Sequence, residues 1–308
     1  MISQFAVDPN LIGEWSNFQM FWGDFGISQR RQIGLFPKNW KHIAMERAHK
    51  LRESSVNSEM QVKRMEDRLF GDVAKSKFRK VNCSMWNPES SWLENCLRQE
   101  PEFEAIVASC SHPNERVVSK NDLLKDEPPY HQPTDYEIDR RPDSIVEALW
   151  SLLEQSKEIV LVEPNFDPAE LRFRGVLEMI IDRLHEAGKI PKRFEIHTSK
   201  YRKKDGARIP RVNQLNLENT LSPILFSNWK LCICAWAENR VEDYQHPRFL
   251  LTEIGGIHID WGLDSGKPGE RTLAKGLSEE VHQKLFSKYS AAGHAFSAES
   301  ENESFLIT

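Results

Sequence analysis

One short run in the chain has residue types and spacing suited to phosphate chemistry. In HPRFLLTEIGGIHIDWGLD, residues 246–264, His246 and Arg248 stand two apart. On an extended strand both side chains then leave the same face. An imidazole is a usable nucleophile and proton carrier near neutral pH. A guanidinium beside it can clamp two phosphate oxygens at once through parallel N–H donors. An acid follows at Glu253, and Gly262-Leu263-Asp264 closes the run as a glycine turn. The competing structural reading has His246 opening an edge strand, with Arg248 paired to Glu253 or Asp264.

Other groups are weighed against this run. Lys200, Arg202, Lys203, Lys204, Arg208 and Arg211 crowd the stretch 200–211, where they can lie along a phosphodiester chain. His197, at the end of RFEIHTS, and His258, near Asp260, read as structural histidines. Glu163 and Asp167 in EPNFDP form a weak candidate pair for a metal, because acids flanked by proline often cap turns. Cys83, Cys96 and Cys110 are too widely spaced for zinc knuckles, and Cys232 and Cys234 share one side of a buried strand. Reduced structural thiols are expected, with no metal and no cofactor. No phosphate-binding glycine loop, dinucleotide fingerprint, HExxH or GxSxG motif occurs.

The elements that must position these residues are legible in the C-terminal half. Pro142-Asp143-Ser144 starts a helix with Ile145, Leu149, Leu152 and Leu153 as its stripe. EIVLV is a short apolar strand. Glu170 to Ala187 is a helix stopped by Gly188. RFEIHTS and LCICAWA are buried strands. HPRFLLTE and IHIDWGLD form two strands joined at Gly255-Gly256. SEEVHQKLFSKY is a late helix. Upstream, 38–53 and 57–80 read as helices, and residues 1–40 concentrate Phe5, Trp15, Phe18, Phe21, Trp22, Phe25, Phe36 and Trp40. Rings at that density pack on the body or on a partner subunit.

Composition bounds the rest. The 308 residues are 39% hydrophobic and 28% charged, enough to bury a core and too apolar for wholesale disorder. The N-terminus has no basic segment followed by an apolar one, and no run approaches a membrane span, so a soluble cytoplasmic protein is expected. The net charge of −5 hides asymmetry. Residues 28–80 carry 14 basic against 6 acidic residues, and 81–160 carry 7 against 16. The basic segment suits nucleic acid or an acidic partner.

The run 246–264 resembles the phospholipase D signature, HxK, then Asp, then GSxN, over a module of about residues 142–290. The resemblance sets His246 as the nucleophile, Arg248 as the phosphate-holding lysine, Glu253 as the aspartate and Gly262-Leu263-Asp264 as the GSxN turn. Arg replaces Lys, Glu replaces Asp, and Leu263 lacks the serine hydroxyl. A single motif is present, whereas that family builds its site from two, in one chain or across a dimer. The GLD ending is similar to degenerate modules of eukaryotic microtubule-interacting-and-trafficking proteins, which bind membrane without cleaving, and the whole HxRF-LLT-GG-GLD string resembles bacterial proteins of defence and mobile-element loci.

The expectation is an α/β fold: a phospholipase D-like mixed sheet flanked by helices over 142–296. A mainly helical, aromatic-rich region over 1–141 precedes it and ends in a proline-rich linker, and a loose polar tail spans 297–308. The function expected is a non-catalytic or weakly active phosphate- or nucleic-acid-binding subunit of a larger bacterial assembly, of the antiphage-defence or mobile-element kind. DNA or RNA is the ligand, and other subunits dock on the aromatic N-terminal region. The alternatives are a homodimeric nuclease or phosphodiesterase with His246 as nucleophile, and a scaffold without ligand.

Overall fold

The computed structural model describes residues 2–101, 103–123, 135–204, 207–237, 248–293, 296 and 301–308. The chain forms two units, Ile2–Thr134 and Asp135–Thr308. The second therefore begins slightly before the helix start that was read as its boundary. The proline-rich linker falls largely in 124–134, outside the described residues.

The N-terminal unit holds five strands: β1 (Ser3–Val7), β2 (Arg31–Leu35), β3 (Phe78–Lys80), β4 (Ala105–Ala108) and β5 (Val117–Ser119). All neighbours are parallel, in the order β3-β2-β1-β4-β5. Its helices are α1 (Pro9–Ile12), α2 (Trp15–Asp24), α3 (Trp40–Glu53), α4 (Glu59–Phe70), α5 (Ala74–Lys77) and α6 (Trp92–Arg98). The region is thus helix-rich but built around a parallel sheet, which the helical reading missed.

Parallel strands need both faces covered, and both are. Phe5, Val7, Ile33, Ala105 and Val107 face one core, shared with Phe18, Phe21, Phe25 and Trp40. Ala6, Ile106, Ala108 and Val117 face the other, with Phe36 and Phe103. The aromatic residues expected to dock partners are mostly the core of their own unit. Phe5, Phe18, Phe21, Phe25, Phe36 and Trp40 are each at most 1% exposed, and the Trp40 indole donates to the Val7 carbonyl at 2.7 Å.

The C-terminal unit is an eight-stranded mixed sheet in the order β15-β11-β8-β7-β12-β13-β14-β6. Its strands are β6 (Asp135–Asp139), β7 (Glu158–Val162), β8 (Arg193–Ser199), β11 (Leu231–Trp236), β12 (Phe249–Thr252), β13 (Gly255–Ile259), β14 (Arg271–Gly276) and β15 (Glu303–Ile307). The helices are α7 (Pro142–Leu153), α8 (Leu171–Glu186), α9 (Gln214–Leu221) and α10 (Glu279–Lys288). A separate antiparallel pair, β9 (Tyr201–Lys204) and β10 (Ala207–Pro210), stands outside the sheet. Strands β7, β8 and β11 are mutually parallel, and β12 runs antiparallel to β7.

Local chemistry explains the helices. Pro142 occupies the first turn of α7, where its missing N–H costs nothing, with Asp143 beside it. Phe173, Val176, Leu177, Ile180, Ile181 and Leu184 recur at three- and four-residue spacing and bury one face of α8.

Two expectations change. The tight turn between β12 and β13 is Glu253-Ile254, not Gly255-Gly256, because Thr252 pairs with Gly255. Gly256 instead lies within β13, where an added Cβ would meet Leu277 Cδ1 at 2.8 Å and Leu251 Cδ2 at 2.9 Å. The tail is not wholly loose: Glu303–Ile307 forms the edge strand β15 against β11. No helix among the described residues is long and apolar enough to cross a membrane.

Candidate phosphate-binding pocket

Five chain segments meet at one end of the C-terminal sheet. Glu163 directly follows β7, and Arg248 directly precedes β12. The turn Trp261–Asp264 follows β13, Arg140 directly follows β6, and Arg172 sits in the first turn of α8. They wall a cavity of about 520 Å³, completed by Phe173, Lys267 and Glu270. Ligand sites of open α/β sheets commonly lie beyond the carboxyl ends of parallel strands, and β7, parallel to β8, ends here.

Arg248 reaches this pocket. Its Nη1 donates to the Asp260 carbonyl at 3.0 Å, and its Nε stands 3.5 Å from Glu163 Oε1. Gly262 lies directly against both side chains. Its φ of +93° suits glycine, and an added Cβ would come within 2.0 Å of Glu163 Oε2 and 2.5 Å of Arg248 Cδ. The guanidinium and the glycine turn therefore share one pocket wall. His246 lies outside the described residues.

The acid of the pocket is not Glu253. That carboxylate stands at the opposite end of β12 from Arg248 and accepts from the backbone N–H groups of Lys157 and Glu158 at 2.7 and 3.0 Å. Glu163 takes the position instead. Its Oε1 accepts from Asn165 N–H and its Oε2 from Leu263 N–H, both at 3.1 Å. Burial pushes its carboxyl above the usual range, against the pull of Arg248 and of those two amides.

Asp264 completes the turn in an unexpected role. Its two oxygens accept from Arg140 Nη2 at 2.7 Å and Arg172 Nη1 at 2.8 Å rather than from Arg248. Arg140 also pairs with Glu270 at 2.9 Å, and its guanidinium lies 5.2 Å from the Trp261 ring centroid. Arg140 and Arg172 were missed in the sequence. They stand 124 and 92 residues from Asp264, so no local spacing could link them.

The basic stretch 200–211 divides. Lys200 Nζ is held by Glu303 and the Glu301 carbonyl, both at 2.7 Å. Arg202 pairs with Asp167 at 2.7 Å, and Arg211 donates to the Asn165 carbonyl at 3.0 Å. These three charges brace the loop after β7 and the edge strand, and none lines the pocket. Lys203, Lys204 and Arg208 lie on the β9–β10 pair.

A second cluster sits between β8 and β11. Glu195, His197 and Cys234 place potential ligand atoms within 4.8 Å of one another. The hydrogen bonds argue against a metal there. Trp236 Nε1–H donates to His197 Nδ1 at 2.8 Å, so Nε2 carries the ring proton and donates to Glu195 at 3.1 Å. Burial holds the imidazole below its usual pKa and hence neutral. Burial would raise Glu195, but hydrogen bonds from His197 and Arg193 prevail and bring it down to about 2. His197 is thus the structural histidine expected. Cys232 and Cys234 share a side, with their sulfurs 3.8 Å apart. His258 is half-exposed, 3.4 Å from Asp260.

No family model matches the sequence, and no curated protein matches it. Among solved structures the chain is similar to TrmBL2, an archaeal chromatin protein whose structure is described as showing a novel mode of DNA binding. The identity is 14% and the TM-score 0.28, over 54% of this chain and 53% of that one. The chain thus spans about half the length of that protein, and the likeness is too slight to carry an argument.

Proposed function

We propose that the C-terminal unit is a phosphate-binding module that holds nucleic-acid phosphates and is non-catalytic or weakly active. One observation carries this reading: Arg140, Arg172 and Arg248 converge on a single concave pocket beside a glycine turn. Guanidinium groups recognise phosphate oxygens through paired donors, and partial burial strengthens such contacts. Efficient catalysis is disfavoured because the pocket already carries its own counter-charges, which also keep phosphate binding modest. Glu163 faces Arg248, Asp264 bridges the other two arginines, and Leu263 N–H is taken by Glu163. A phosphate must compete with these carboxylates, and the turn offers it no hydroxyl.

The phospholipase D-like resemblance supports the same reading through the GLD ending, and the placement in a bacterial defence or mobile-element assembly rests on that resemblance alone. The enzymatic reading, a homodimeric phosphodiesterase with His246 as nucleophile, draws on Arg248 reaching the pocket two residues beyond that histidine.

A filter-binding titration of the full chain with a labelled oligonucleotide tests the proposal. Affinity should fall steeply with salt as counterions are released. Arg248→Ala should weaken binding about tenfold at low salt and flatten the salt slope, as expected when one charge-assisted phosphate contact is removed. A flat titration of the wild type leaves the scaffold reading. Metal-independent cleavage abolished by His246→Ala establishes the enzyme instead.

A further inference from the structure

The pocket is larger than a phosphate needs, and its rim carries an exposed tryptophan. Trp261 is 61% exposed, whereas the other eight tryptophans are buried or half-buried. A single exposed apolar residue is ordinary on a protein surface. This one is distinguished by where it stands and how it is held. It lines the same cavity as the three arginines. Its N–H donates to Thr272 Oγ1 at 3.1 Å, Asp260 N–H donates to the Leu273 carbonyl at 3.0 Å, and the next residue is Gly262. The backbone on both sides is therefore fixed while the ring stays open to solvent. Arg140, locked by Asp264 and Glu270, lies against the ring and orients it.

We propose that this pocket takes one nucleotide of a single strand, with its phosphate between the arginines and its base stacked on Trp261. The inference deepens the phosphate-binding reading and rests on it. A volume near 520 Å³ falls in the range of small-molecule sites, so it has room for a sugar and base beside the phosphate. The side chains of Arg140 and Arg248 are recessed, at 10% and 17% exposure, so the phosphate must enter the cavity to meet them. A base within a duplex is stacked on its neighbours and cannot lie on the indole, whereas an unpaired base of any kind can.

The experiment compares three probes of equal phosphate number on the full chain by fluorescence anisotropy: single-stranded oligothymidylate, an abasic oligomer and a duplex. The wild type should bind the single strand about tenfold more tightly than the abasic oligomer, the order that loss of one stacked base gives. Trp261→Ala should close the gap between the single strand and the abasic oligomer. Trp261→Phe should keep most of the preference. Equal affinity for all three probes, or an unchanged preference in Trp261→Ala, overturns the stacking inference and leaves the phosphate reading standing. No affinity for any probe removes both. Trp261-dependent binding to phosphatidylserine vesicles, without discrimination among the three probes, also overturns the inference and assigns the ring to a lipid surface.

Discussion

Two regions of the C-terminal unit are built from the same materials and end in different roles. Between β8 and β11, Arg193, Glu195, His197 and Trp236 form a chain of hydrogen bonds in which Glu195 also accepts from Ala291 N–H at 3.2 Å. The space beside His197 is only about 10 Å³, room for about one water. At the end of the same sheet, Arg140, Arg172 and Arg248 with Glu163, Asp264 and Glu270 open on about 520 Å³. Both regions pair guanidinium with buried carboxylate. The first closes its partners onto one another, so its ionisable groups can stiffen the fold but cannot meet a ligand. The second leaves space in front of them. Ion pairing alone therefore does not mark a site; what matters is whether the paired groups face a void.

The sharpest way to break the comparison is to remove the carboxylate that organises the open region. Asp264→Ala leaves Arg140, whose side chain is 10% exposed, without its shortest ion-pair partner. Breaking a buried pair by deleting one member costs roughly 3–5 kcal/mol, far more than a surface pair is worth. Urea unfolding should show a loss of that order. A loss of only a few tenths of a kcal/mol would mean that Asp264 holds nothing together.

The closed region predicts a smaller effect with a defined pH window. Glu195 is depressed from 4.5 to about 2, so its contribution is fully present above 4.5 and disappears as the pH falls toward 2. A depression of that size corresponds to about 3 kcal/mol. Glu195→Gln should be destabilised by about that amount at pH 7, and its unfolding curve should converge on the wild type between pH 4.5 and 2. Parallel curves across that window would show that the network contributes independently of this charge.

These contrasts also show what the sequence made legible. Helices α7 and α8 and strands β7 and β11 were readable because each carries a long stripe or an apolar run, and β8 because Phe194 and Ile196 alternate with polar residues. The N-terminal sheet was not, because its strands are three to five residues long and β2 reads RQIGL, with no clear period. The edge strand β6, DYEID, and its neighbour β14, RTLAKG, alternate with charge and resemble loops. In the pocket, Arg248 and the GLD turn could be found because they share one local run. Glu253 was misplaced because spacing along a strand does not say which end its side chain serves. Glu163 was weighed as half of a metal pair with Asp167 or as a turn cap, and it does cap the turn, through Asn165 N–H.

The smallest effect separates the two regions most finely, because it changes ligand affinity and runs opposite to a simple loss. Glu163 faces Arg248 across 3.5 Å and feels Asp264 from the same turn. Burial raises its carboxyl, so the folded protein binds this proton more tightly than the unfolded chain does. Its contribution to stability is therefore greatest at low pH and is lost as the pH rises through the elevated value. The same proton governs the pocket. As the pH falls through that range, a negative charge leaves the wall opposite Arg248, and an anion meets less repulsion. Oligonucleotide affinity at fixed salt should rise on acidification, beginning above the ordinary carboxylate range. Glu163→Gln should bind a few-fold more tightly than the wild type at pH 7.5 and lose that pH dependence, in line with the modest strength of one screened charge contact. Glu195→Gln should leave the affinity where it was, since its carboxylate faces no void. If Glu163→Gln weakened binding instead, the carboxylate would be serving the ligand directly, and the pocket would be selecting a group that donates hydrogen bonds rather than a phosphate.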